Sequence, residues 1–159
     1  QGAHERRRTR GLGRVSSEIT VDTPILARWL IGSRRITTEL RRVLEDAPAV
    51  YIPPCSLHEM TLKVRKGRWP EMEPYAPHLD RICVTNGFKI APYTVRMAIL
   101  AGSMEWDHPD PFDRMIGVTA FEMGMALVSS DEAFDMLERI QDGAAGFGYI
   151  PLRRIRRPL

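Results

Sequence analysis

Asp110-Pro111-Phe112-Asp113-Arg114-Met115 places two carboxylates at the start of a helix-like segment, directly ahead of the apolar residues Met115, Ile116, Val118, Ala120 and Phe121. Three more acids stand in comparable places. Asp22 ends the strand-like run Ile19-Thr20-Val21, and Glu59 lies in the first turns of a helical segment after Val50-Tyr51-Ile52. Asp131 follows the strand-like run Ala126-Leu127-Val128. Carboxylates gathered at the ends of buried elements repel one another unless a positive group, usually a divalent cation, lies between them. A cation held in this way lowers the pKa of a bound water molecule and polarises the group it binds, which is the chemistry of metal-assisted hydrolysis. Hard oxygen donors without Cys or His favour Mg²⁺ or Mn²⁺ over zinc. The four histidines, at 4, 58, 78 and 108, are scattered and make no zinc spacing.

The elements that must position these acids follow from hydrophobic period and capping residues. Ile19–Val21, Val50–Ile52, Phe88–Ile90 and Ala126–Ser129 read as short strands, with Phe147–Pro151 as a last edge strand. Helices are expected from Pro24 to Leu30, from Thr37 or Thr38 to Asp46, and from a Ser56 cap to Gly67. Others are expected over 93–102, 111–124 and 132–140, with 69–80 as a Pro- and Glu-rich loop. Strands alternating with helices imply an α/β fold, a mainly parallel sheet covered on both faces. In such a sheet the strand C-terminal ends line the ligand crevice, so Asp22 and Asp131 face it and Glu59 and Asp113 can converge on it.

At 159 residues the chain is long enough for one domain with a substantial core. No apolar run reaches membrane-spanning length, and no apolar signal-peptide core stands near residue 1, so a cytoplasmic protein is expected. Cys55 and Cys83 make no disulfide framework and read as buried thiols in a reducing compartment. The net charge of +3 is uneven: residues 1–18 carry +3, residues 151–159 carry +4, and the body is −4. We therefore divide the chain into a basic tail at 1–18, a folded domain at 19–150 and a second basic tail at 151–159. Gln1-Gly2-Ala3-His4 resembles the remnant of a cleaved purification tag. An acidic body argues against a purely electrostatic nucleic-acid binder.

Each acid also has a plain structural reading. Asp22 would serve as a helix N-cap ahead of Pro24. Ser56-x-x-Glu59 is a capping box, and Glu59 with Lys63 an i,i+4 ion pair. Asp110-Pro111-Phe112-Asp113 reads as N-cap, Pro at the first helical position, and an acid two residues further in, so we assign Asp110 to the cap and Asp113 to the metal. Asp131 could end a turn. Ser129 would brace a carboxylate. Lys63 and Arg114 are candidates for phosphate contact or for pairing with nearby acids, and Trp29, Phe112 and Phe121 read as core.

Four blocks together resemble the PIN-domain family, in particular the VapC-type toxins of prokaryotic toxin–antitoxin pairs. They are Val21-Asp22-Thr23-Pro24 through Leu30, Ser56-Leu57-His58-Glu59 through Lys63 with Gly67, His108-Pro109-Asp110-Pro111-Phe112-Asp113-Arg114-Met115, and Leu127-Val128-Ser129-Ser130-Asp131-Glu132. Pro24, His58 and Ser129 depart from the family pattern, but no carboxylate is missing. The resemblance implies a three-layer α/β/α fold and a Mg²⁺- or Mn²⁺-dependent endoribonuclease whose metal ligands are Asp22, Glu59, Asp113 and Asp131. It also implies 5′-phosphate products, a homodimer, and a small antitoxin that covers the site. An antitoxin helix is expected near Trp29, Ile36 and Leu40, unless these are core or dimer contacts. Two other readings stay open: a housekeeping PIN nuclease acting on RNA or DNA, and a catalytically silent PIN module that only binds.

Overall fold

The computed structural model describes residues 18–135. The expected basic tails, the greater part of the helix at 132–140 and the edge strand at 147–151 lie outside the described residues.

Ile19-Thr20-Val21 forms β1 with every side chain buried, which only a strand covered on both faces permits. It sits between β2 (Val50–Ile52) and β4 (Ala126–Val128), and β3 (Lys89–Ile90) pairs outside β2. All three pairings are parallel, in the order β3-β2-β1-β4. Parallel neighbours need crossover connections, and the helices supply them. They are α1 (Thr23–Leu30), α2 (Thr38–Asp46), α3 (Pro54–Arg65), α4 (Leu79–Thr85), α5 (Val95–Ser103) and α6 (Pro111–Met123).

Two packed clusters cover the sheet. Ile19, Val21, Ile52 and Val128 pack with Ile25, Leu26, Leu40, Leu44 and Cys83 from α1, α2 and α4. Leu127 packs instead with Ile116 and Ala120 of α6, Trp106 and Phe134. Leu127 and Val128 are neighbours in one strand, so their membership of different clusters is the period-two alternation of a strand with helices on both sides. Side chains such as Ile25, Leu26 and Ile116, at 0–1 % exposure, each contribute about 1.5–3 kcal/mol by burial. The architecture is the expected three-layer α/β/α fold with an all-parallel central sheet.

Local departures from the sequence reading have physical causes. α3 begins at Pro54 behind Pro53 and has no side-chain cap, so Ser56 is inside the helix and not its N-cap. Proline fixes φ near the helical value and has no N–H to satisfy, so the cap falls at Pro53 and the helix starts three residues early. The capping-box reading of Glu59 falls with it, because Glu59 lies too far into the helix to reach the cap. α4 arises in a stretch read without a helix, where Leu79 and Cys83, four residues apart, are both buried. The loop before it contains two 3-10 turns, Pro70–Met72 and Ala76–His78. α5 passes through Gly102 to Ser103, and α6 stops at Gly124, whose φ of 67° is the left-handed conformation that glycine adopts without strain.

Candidate active site

The sheet register builds the first pair of the site. Val21 of β1 is paired with Val128 of β4, so the residues that follow both strands emerge at the same edge. Asp22 and Ser129 meet there, and the Ser129 hydroxyl donates a hydrogen bond to Asp22 Oδ2. The other carboxylate oxygen caps α1 by accepting from Ile25 N at 3.0 Å. Capping and a site role are therefore compatible at Asp22: one oxygen serves the helix and the other faces Ser129. Asp22 is 1 % exposed. Burial lifts its pKa from 3.8 to about 6, against the hydrogen bonds from Ser129 and Ile25 that hold it down, and the charge of Asp113 adds to the rise.

Glu59 projects from α3 and is 4 % exposed. Burial raises its pKa, Lys63 lowers it, and Asp110 and Asp113 raise it again. Lys63 Nζ stands 3.5 Å from Glu59 Oε1 and 5.4 Å from the centre of the Trp69 ring. The ion pair expected of Lys63 with Glu59 is formed. The Thr23 hydroxyl is buried without a hydrogen-bond partner of ordinary geometry among the described residues, yet lies close enough to Glu59 to lower its pKa.

Asp110 and Asp113 come from the first turn of α6. Asp110 Oδ1 accepts from Phe112 N at 2.9 Å and is the N-cap. Asp113 Oδ2 lies 2.6 Å from His108 Nε2. Burial raises the pKa of Asp113 first; His108 pulls it down, and the charges of Asp110 and Asp131 push it up. His108, Asp110 and Asp113 present ligand atoms that all lie within 4.8 Å of one another. Asp131 is exposed and accepts from Ala133 N at 2.9 Å through Oδ1, while its own N–H donates to Ser129 Oγ at 3.0 Å.

The four acids singled out from sequence are therefore linked pairwise: Asp22 with Asp113, Glu59 with Asp113, and Asp113 with Asp131. Asp113 is the common member. Ser129 and Asp110 join through hydrogen bonds and charge. Arg114 turns away: it donates to the carbonyls of Ala101 at 2.7 Å, Met104 at 2.6 Å, His108 at 3.2 Å and Trp106. It fastens the segment 101–108 to α6, and among the described residues it makes no ion pair with an acid. Ile36 and Leu40 are buried in the main core cluster, so they offer no docking groove, and Trp29 packs against the same cluster.

His108 is the site residue that sequence reasoning missed. Its signal was the His-x₄-Asp spacing ahead of the helix, which becomes meaningful only once the loop and the first turn of α6 are folded together. The donor set fits a divalent cation: carboxylates held in half-buried or buried positions, raising one another's pKa, with an imidazole against the central one. Cys55, nearby on α3, is pushed up to about 12 by burial and by the charge of Glu59, so its thiol is inert.

The PIN-domain family model matches residues 19–140. Among curated proteins nothing matches. Among solved structures, the VapBC2 complex from Rickettsia felis bound to a DNA fragment from its promoter is similar, with TM-score 0.58 and 13% identity over 87% of this chain and 98% of that one. A toxin–antitoxin complex from Klebsiella pneumoniae is also similar, with TM-score 0.54 and 21% identity over 73% of this chain and 89% of that one.

Proposed function

This chain belongs to the PIN-domain family, and from that premise we propose that it is a Mg²⁺- or Mn²⁺-dependent endoribonuclease, the toxin of a toxin–antitoxin pair. The observation that supports the reading is the grouping around Asp113: its ligand atom lies within 4.8 Å of those of His108 and Asp110, and its charge raises the pKa of both buried acids, Asp22 and Glu59. Such a set is unfavourable by itself and becomes favourable around a cation.

Asp22, Glu59, Asp113 and Asp131 would hold the ion, with His108 against Asp113. A bound divalent ion supplies positive charge that lowers the pKa of an attacking water and offsets the charge on the phosphoryl oxygens. The chain's own residues supply position. Ser129 holds one oxygen of Asp22, the Ile25 N–H in the first turn of α1 holds the other, and Lys63 orients Glu59. Arg114 holds the loop that carries His108. The partner would be a small antitoxin that covers the site; similarity to two toxin–antitoxin complexes supports this partner class. A homodimer is the expected assembly.

The test is expression of the chain alone and with the product of a neighbouring short reading frame. Wild type should arrest growth, Asp22→Asn should not, and the neighbour should restore growth to wild type. Equal harmlessness of the two chains would move the reading to a housekeeping or silent PIN domain.

A further inference from the structure

Beside the carboxylates lies an open cavity of about 410 Å³ whose two walls differ in chemistry. One wall carries Lys63, Lys66 and Arg68, and the other Pro109, Pro111 and Phe112. Glu59 and Asp110 also line it, so the cavity opens onto the site already described.

The cationic wall is built by the end of α3. Lys66 is the C-cap, and Gly67 follows with φ of 69°, a left-handed conformation. Gly67 N donates to Val64 O and Arg68 N to Lys63 O, both at 2.9 Å, which is the hydrogen-bond pattern of a Schellman close. This reversal brings Arg68 back beside the turn that holds Lys63. Basic residues at a helix C-terminus ordinarily offset the helix dipole, and Lys66 does so. Arg68 lies beyond the helix end and lines the cavity together with Lys66. Lys63 is engaged by Glu59 and Trp69, whereas among the described residues no ion pair or side-chain hydrogen bond holds Lys66 or Arg68. The opposite wall is apolar, and the half-buried Phe112 ring is fixed edge-on against His58, with centroids 5.4 Å apart.

A site made of carboxylates repels a polyanion until cations stand near it. We propose that Lys66 and Arg68 are the phosphate track for a single-stranded RNA segment, and that Phe112 with Pro109 and Pro111 is the surface its bases lie against. This rests on the nuclease reading above and assigns the substrate's path into that site. A strand with its bases turned outward matches two walls of opposite chemistry, phosphates to one and ring faces to the other. A duplex keeps its bases stacked inside and could use only the cationic wall.

The experiment is fluorescence anisotropy of a labelled single-stranded RNA with the full chain in EDTA, where cleavage is stopped, across a salt series. Lys66→Gln with Arg68→Gln should weaken binding by roughly tenfold and flatten the salt slope by about 1.4, the value for two lost contacts to a single strand. Phe112→Leu should weaken single-stranded but not double-stranded RNA. A control pair of equal charge change outside the cavity, Arg42→Gln with Arg81→Gln, should leave the slope as in wild type. The Mn²⁺-induced rise in Tm should be the same in the Lys66→Gln/Arg68→Gln chain as in wild type, showing an intact fold and metal site. Unchanged binding and slope in that chain, or an equal loss in the control pair, would overturn the proposal and leave the wall as a face for an acidic protein segment or as general surface charge. Absence of metal-dependent cleavage by wild type would instead defeat the nuclease reading, whatever the binding result.

Discussion

Asp22→Asn should stabilise the metal-free protein. Asp22 is buried and its pKa rises from 3.8 to about 6. That rise corresponds to roughly 3 kcal/mol by which the folded surroundings as a whole, burial foremost, disfavour the charged form. The sign follows from proton binding. Between about pH 4 and 6 the folded chain holds a proton that the unfolded chain has released, so stability from this group is present below pH 4 and lost as pH rises through 6. Asn cannot ionise and escapes that loss. It caps a helix as well as Asp does, so the bond from Ile25 N survives. The bond from Ser129 to a charged carboxylate is replaced by a weaker neutral one, costing about 1 kcal/mol. The net gain at pH 7.5 in EDTA is about 2 kcal/mol, or a Tm higher by roughly 5–10 °C. At pH 4 the advantage should vanish, leaving the variant equal to or slightly below wild type. Thermal melts followed by circular dichroism at pH 4 to 8 would measure this. A variant no more stable than wild type at pH 7.5, with a parallel pH profile, would refute the reasoning and leave Asp22 an ordinary cap.

Three further outcomes follow from the same geometry. Millimolar Mn²⁺ should raise the wild-type Tm, by an amount equivalent to about 2.7 kcal/mol once the ion is at a hundred times its Kd; Glu59→Gln and Asp113→Asn should each abolish most of the shift in a thermal melt. Arg114→Lys should cost about 2–4 kcal/mol in urea unfolding, because one ammonium cannot replace a planar group donating to four carbonyls of 101–108. Ser56→Ala should be neutral or stabilise by about 0.5–1 kcal/mol in the same assay, since the Ser56 hydroxyl is buried without a partner among the described residues and sits inside α3.

Much of the fold is legible in the chain because the elements are short and sharply punctuated. Asp22 and Pro24 start α1, Thr37 starts α2, and Gly124 ends α6, each by a local rule that needs no tertiary partner. The rules fail where two compete. At 53–56 a proline pair and a serine both start helices; the prolines act first in the chain and the serine is left with a buried, unpaired hydroxyl. α4 is seven residues with one apolar pair on its buried side, too brief for a period to show. At the site, the acids could be picked out because each follows a strand or opens a helix. Two partners were legible as well, Lys63 beside Glu59 by its i,i+4 spacing and Ser129 as a brace for a carboxylate. Which carboxylate Ser129 meets depends on the β1–β4 register, His108 against Asp113 on the loop closing over α6, and the role of Arg114 on where four carbonyls of that loop point.

The most direct test pairs binding with chemistry in one titration. Mn²⁺ is added to the full chain with a labelled single-stranded RNA; bound Mn²⁺ is read by electron paramagnetic resonance and cleavage by gel, with product ends identified. The account predicts that cleavage rises on the same Mn²⁺ scale as binding, leaves 5′-phosphate ends, and disappears together with the bound Mn²⁺ signal in Asp113→Asn. Cleavage that persists in EDTA, or an Asp113→Asn chain that binds Mn²⁺ and cuts RNA like wild type, would contradict the carboxylate cluster as the seat of the activity.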